Sequence, residues 1–299
     1  MTPPPLFLGL DVGGTQTRWA LADAAGTVHR EGQATGFSGT QLHDAAGRAA
    51  VTDALRAVAA VAGPVQGALA GVTGLDAAQA PQLAALLAQA LGIEAAAVQV
   101  LSDIELACRA HFAPGEGVLV YAGTGSIAAF IDSHGMLHRA GGRGPVIDDA
   151  GGGHWIAREA LRRVWRAEDE SPGSSAMSPL AQRLFQAIGG TDWSATRQWV
   201  YGATRGELGT LALAVAAASH EDPAALALLH AAGAELARLA QALRSRFGAL
   251  PVALAGRAFD LHPAVQAGLQ HALPPGTRVQ HARTPAQVAA ARIAARMRA

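Results

Sequence analysis

Hydrophobic and polar positions along the chain alternate between a two-residue period and a helical one. Residues 6–12 (LFLGLDV) and 17–23 (TRWALAD) are apolar runs joined by a glycine-bearing turn, and Ala25-Gly26 leads into a third extended stretch near 27–33. This predicts an opening β-meander. Residues 41–62 carry apolar positions at helical spacing, VQGALAGV (65–72) reads as a buried strand, and 77–91 reads as a second helix. AVQVLSD (97–103) reads as a strand, with a helix from about Ile104. At 115–132 (GEGVLVYAGTGSIAAFID) the opening pattern returns as strand, Gly-Thr-Gly turn and strand, which predicts a duplicated βββαβα unit. Beyond Gly151 the spacing predicts helices to about Phe247, broken at 170–175 and at Asp222-Pro223, where aspartate caps and proline takes the first helical position. PVALAG (251–256) reads as a late strand, and Thr284-Pro285 opens a final amphipathic helix. Strands alternating with helices predict an α/β architecture with mixed sheets.

A chain of 299 residues built this way suits two lobes, 1–115 and 116–299, with the final helix (285–298) free to pack back on the first lobe. No uninterrupted apolar run reaches the ~18–20 residues of a membrane span, so a soluble protein with no membrane partner is expected. Twenty-three basic residues balance twenty-three acidic ones without a block of like charge, which argues against nucleic acid as a partner. The amino terminus lacks a basic segment ahead of its short apolar run, which enters a glycine turn instead of a cleavage site. Cys108 is the single cysteine, so one chain cannot build a disulfide framework or a cysteine-ligated metal site. A reducing cytoplasm fits both observations. Composition leaves oligomeric state open, a homodimer included.

Five segments carry candidate chemistry. In LGLDVGGTQTRWAL (8–21) a strand delivers Asp11 to a turn where Gly13 and Gly14 let backbone N–H groups approach phosphate oxygens and the Thr15 hydroxyl adds a donor. Asp11 would then face a magnesium ion, which takes one or two carboxylates and keeps waters. Alone, the glycine pair fits a plain hairpin turn equally well. In VYAGTGSIAA (120–129), Gly123-Thr124-Gly125 repeats the arrangement at the equivalent place, so the two turns together predict a polyphosphate clamp in a cleft between two lobes. Asp103 ends a strand and precedes a helix. It suits a base that orients and deprotonates an attacking hydroxyl, or a helix cap, and one carboxylate can do both. In AGGRGPVIDDAGGGHWIARE (140–159), Asp148 and Asp149 precede a glycine run at a helix mouth, where they suit substrate hydroxyls or a capped flexible loop. His154 reads as a surface or packing residue, and the tryptophans at 155, 165, 193 and 199 read as core. In ALAGRAFD (253–260), Gly256 after a strand would let the backbone lie against a nucleotide with Arg257 nearby, or mark a simple strand–helix junction.

Taken in order over nearly the whole length, these segments resemble the BadF/BadG-type ATPase family, which includes N-acetylglucosamine and glucosamine kinases within the actin/hexokinase superfamily. LGLDVGGTQTRWAL looks like its phosphate-1 segment, VYAGTGSIAA like phosphate-2 and VALAGRAFD like the adenosine segment. The resemblance implies a two-lobed, actin-like (ribonuclease H-like) fold and transfer of the γ-phosphoryl group of ATP, with Mg2+, to a hydroxyl of an amino sugar, O6 first. It implies that Asp103 is the catalytic base and that Gly13, Gly14, Thr15 and Gln16 and, in the second segment, Gly123, Thr124 and Gly125 bind nucleotide phosphates, with Gly256 and Arg257 beside the nucleotide. Ser38, Gly142, Asp149 and Asp103 fall on the sugar side. Where the family reads GGWG…GDEGS, this chain reads GGRG…DDAGG, with Arg143 for the tryptophan and Ala150 for the glutamate, and Ser38 is followed by Gly39 instead of asparagine. Those departures point to an altered acceptor, or to a non-catalytic nucleotide- or sugar-binding regulator on the same fold.

Overall fold

The computed structural model describes residues 4–297, which form two compact units, one running to Ala113 and taking up the chain again from Arg283, the other Pro114–Ala282. The first unit contains β1 (Leu6–Val12), β2 (Gln16–Asp23), β3 (Val28–Thr35), α1 (Ala45–Ala62), β4 (Gly67–Val72), α2 (Ala80–Leu91), β5 (Val98–Ser102) and α3 (Asp103–Arg109). Its sheet has the order β3-β2-β1-β4-β5, antiparallel on the meander side and parallel from β1 to β5. Every residue of β4 is buried, as an apolar parallel strand covered on both faces must be.

The second unit contains β6 (Val118–Ala122), β7 (Ser126–Ile131), β8 (Leu137–Gly141), α4 (Gly153–Glu170), α5 (Pro179–Ile188), α6 (Trp193–Gly202), α7 (Arg205–Ala218), α8 (Pro223–Phe247), β9 (Val252–Ala255), α9 (Ala258–Leu261), α10 (Pro263–Ala272) and β10 (Val279–His281). Its sheet order, β10-β9-β6-β7-β8, repeats that of the first unit: three antiparallel strands followed by two parallel ones. The duplication expected from the returning strand–turn–strand pattern is therefore present, with α4 to α8 standing between β8 and β9 where the first copy has α1. Val118, Val120 and Phe130 of the sheet meet Ile156 and Leu161 of α4, Leu211 of α7 and Leu236 of α8 in its core.

The last helix, α11 (Ala286–Arg296), belongs to the first unit, and position 298, where the sequence extends it, lies outside the described residues. The strand period sets what it covers. Leu8, Leu10 and Val12 point to one face of β1 and pack with Val51, Leu55 and Leu83 of α1 and α2. Phe7, Gly9 and Asp11 point to the other, where Phe7 packs with Leu106 of α3 and Ala290 and Ala294 of α11. A β-carbon on Gly9 would collide with the α11 backbone at Gln287 and Ala291, so the helix can lie flat on the strand only over glycine. One tryptophan departs from the expected core placement: Trp193 is 64% exposed on α6 and carries the Arg197 guanidinium over its ring.

Candidate functional site

The first unit gathers two carboxylates beside its glycine turn. Asp11 sits near the end of β1, opposite Arg18 on β2 and Gly71 on β4, while Val72 pairs with Ser102 just before Asp103. Leu106, one helical turn beyond Asp103, packs on the same sheet face that Asp11 shares with Phe7, which brings the two carboxylates close. Burial pushes the Asp11 carboxyl above its usual range; the Arg18 charge opposes this and the Asp103 charge adds to it. The α3 cap is Ser102, whose hydroxyl accepts from the Glu105 N–H. Asp103 is the first helical residue, and its Oδ1 accepts from the Ile104 N–H at 2.7 Å, which fixes the carboxylate while leaving its second oxygen without a partner among the described residues.

In the turn between β1 and β2, the Gly13 N–H donates to Gln16 O at 3.0 Å. Among the described residues no backbone acceptor takes the N–H of Gly14 or Thr15, and both residues are exposed. Two successive N–H donors without a backbone acceptor at an exposed turn are available to an anion. Gln16 instead donates across the hairpin to the Gln33 amide oxygen at 2.8 Å. Ser38 caps the 3-10 turn Gly39–His43, accepting from the Thr40 N–H, and its hydroxyl also reaches Thr73 O at 3.3 Å.

The second unit repeats the turn with different supports. The Gly123 N–H donates to Gly125 O at 2.9 Å, and no backbone acceptor among the described residues takes the N–H of Thr124 or Gly125. The carbonyls of Gly123 and Thr124 accept from the Gly153 and His154 N–H groups at 2.8 and 2.9 Å, so the turn itself caps α4, whose cap residue Gly152 offers no side chain. The positive end of that helix dipole thus lies at the turn. Built on Gly152, a β-carbon would come within 2.8 Å of the Gly125 Cα and the Thr124 carbonyl oxygen, a spacing only glycine allows.

Asp149 is 2% exposed, holds a left-handed φ of 58°, and forms an ion pair with Arg205 at the start of α7. Arg205 is a candidate that the sequence did not disclose. The capping box of Thr204 and Glu207 marks where its helix begins, but nothing local points to a partner 56 residues away. Asp148 turns instead to Arg238 on α8, at 3.3 Å. The loop ahead of them exposes Gly142, Arg143, Val146 and Ile147. Burial pushes the His154 imidazole below its usual range, and the charges of Arg158 and Arg205 push the same way. Gly256 has a φ of 95° and is pressed against the backbone of Ala122 at the end of β6, and Arg257 beside it is exposed.

Comparison with known proteins bears on this arrangement. A Dictyostelium discoideum N-acetyl-D-glucosamine kinase is 36% identical over 69 residues, 23% of this chain and 22% of that kinase, so the match spans about a fifth of the relative. The solved structure of a proposed N-acetylglucosamine kinase from Chromobacterium violaceum is 30% identical, covers 98% of this chain and 99% of its own, and superposes with a TM-score of 0.73. A ROK family glucokinase from Streptomyces griseus, solved with glucose and AMPPNP, is 19% identical with a TM-score of 0.60, covers 98% of both chains and shares the fold, that of the actin-like ATPases. The model of the BadF/BadG/BcrA/BcrD ATPase family matches residues 8–288, and with both glycine turns and the duplicated sheet inside that span, the chain belongs to this family.

Proposed function

We propose that the protein is an ATP-dependent sugar kinase that transfers the γ-phosphoryl group to a hydroxyl of an amino sugar, with O6 as the acceptor atom. The observation that carries the reading is Asp103, a carboxylate anchored through one oxygen and open at the other, beside a second carboxylate and a turn with free N–H donors. The kinase names of the Dictyostelium and Chromobacterium relatives support the reaction class and the amino-sugar substrate.

In this reading the N–H groups of Gly14 and Thr15, and of Thr124 and Gly125, hold phosphate oxygens. Asp103 orients the acceptor hydroxyl. The hydroxyl oxygen attacks the γ-phosphorus, the bond from that phosphorus to the β–γ bridging oxygen breaks, ADP leaves, and the proton passes to Asp103. The oxygen donor of Asp11, partly buried near a second negative charge, would hold a hard cation such as Mg2+. When bound, that ion supplies charge neutralisation at the phosphates.

The test is ADP release from ATP and Mg2+ over a panel of amino sugars. A sugar-dependent signal is expected, and Asp103→Asn should lower kcat by about 10²- to 10⁴-fold while leaving ATP affinity nearly unchanged. No ADP above the sugar-free control with any acceptor would count against the kinase reading.

A further inference from the structure

We infer that Arg205 is a nucleotide-phosphate-binding residue, its guanidinium held over the Gly123–Gly125 turn by the buried carboxylate of Asp149. The inference rests on the kinase reading and extends it to a residue outside every glycine-rich segment of the chain.

Three observations place the cation at the turn. The Arg205 guanidinium pairs with Asp149, and a β-carbon on Gly125 would collide with its Nη2 and come within 2.6 Å of the Asp149 Oδ2, so both groups lie directly against the turn. Asp149 is 3% exposed at its side chain whereas Arg205 is 46% exposed, so the pair is anchored at its acidic end and open at its basic end. Gly209, four residues along α7, lies so near Thr124 that an added β-carbon would stand 3.2 Å from its Cγ2, which lets the first turns of the helix approach the loop.

The chemistry follows from the donor inventory. A guanidinium offers five N–H donors in a rigid fork, and Asp149 is the one hydrogen-bond partner of Arg205 among the described residues. The remaining donors point the same way in charge as the unpaired N–H groups of Thr124 and Gly125 and the positive end of α4. Such a convergence suits a phosphate anion, and the lone carboxylate within it is already neutralised by its pairing.

Removing the arginine alone would leave Asp149 buried and unpaired, so the informative variant is Arg205→Gln combined with Asp149→Asn, which replaces the ion pair by an amide hydrogen bond. Asp149→Asn alone keeps the cation and serves as the comparison. Calorimetry with MgATP and with adenosine reads phosphate recognition apart from base recognition. The double variant is expected to lose about tenfold or more in ATP affinity with adenosine affinity unchanged, while Asp149→Asn, which keeps the cation and weakens only its anchor, is expected to lose less ATP affinity than the double variant. A folded double variant that binds ATP as tightly as wild type would overturn the role of Arg205 and leave the kinase reading standing. Wild-type protein that binds no ATP would overturn both.

Discussion

At the scale of single residues, the two carboxylates of the first unit differ in what they cost the fold. The ordinary Asp pKa is 3.8, and burial holds that of Asp11 above it. Between those values the folded protein binds more protons than the unfolded chain, so stability falls as pH rises through that window, and an ionised Asp11 is a net cost above it. Asp11→Asn removes the buried charge. It is expected to raise the midpoint of thermal unfolding at pH 7 and to abolish sugar-dependent ADP release, a trade of stability for function. A variant with an unchanged or lower midpoint would show that the attraction of Arg18 outweighs desolvation. Asp11 and Asp103 were legible as candidates because one lies a residue short of the end of an apolar strand and the other directly follows one, where the chain must leave the sheet and a polar side chain is otherwise unexplained. Arg205 was not, because its significance comes from Asp149 and Gly125, which only folding brings to it.

At the scale of elements, the apolar strands and the capped helices were readable, and the two edge strands of the second sheet were not. β1 (LFLGLDV) and β6 (VLVYA) announce themselves as apolar runs, whereas β8 (LHRAG) and β10 (VQH) are short, partly exposed and carry no clear period. Asp222 shows both the reach and the limit of local reading. The sequence predicts it as a cap with proline at the first helical position, and its Oδ1 accepts from the Ala224 N–H at 2.9 Å at the start of α8. Its Oδ2 does something no local rule contains, accepting from the Leu180 N–H at 3.0 Å and the Ser178 hydroxyl at 3.1 Å at the start of α5. One buried carboxylate therefore satisfies donors on two helices. Asp222→Ala is expected to cost about 2–4 kcal/mol, more than the ~1 kcal/mol of an ordinary cap, because it also strands a buried α5 donor. Chemical denaturation of the variant measures it, and a loss near 1 kcal/mol would mean that the α5 contacts contribute little.

At the scale of the whole molecule, the histidines set how stability responds to acid. His111, His154 and His262 each have an imidazole pKa held below the ordinary 6.5, in every case chiefly by burial. At His154 the charges of Arg158 and Arg205 act in the same direction, against the opposing charge of Asp149, and at His262 the neighbouring His220 and His230 do so. Geometry gives His262 a second reason to stay neutral. Its Nδ1 accepts from the Ala264 N–H at 3.1 Å as the cap of α10, and its Nε2 lies 3.2 Å from the Ser219 hydroxyl, which donates to Ala216 O. The hydroxyl therefore accepts from an Nε2–H, and protonating Nδ1 would turn the cap from acceptor to donor. Because the unfolded chain takes up protons at these sites near pH 6.5 and the folded protein resists until lower pH, the unfolded state binds more protons in that window, and stability falls as pH drops through it. The hydrogen-bonded Asp23, Asp132, Glu168 and Glu207, all held below their usual range, add a further loss only at lower pH, as they too protonate. Denaturant midpoints measured from pH 8 to pH 5 should thus begin to fall just below 6.5, ahead of the carboxylate range. His262→Gln, which can still offer the α10 cap an amide oxygen but cannot be charged, should flatten the upper part of that decline, and a decline equal to that of wild type would remove His262 from its cause.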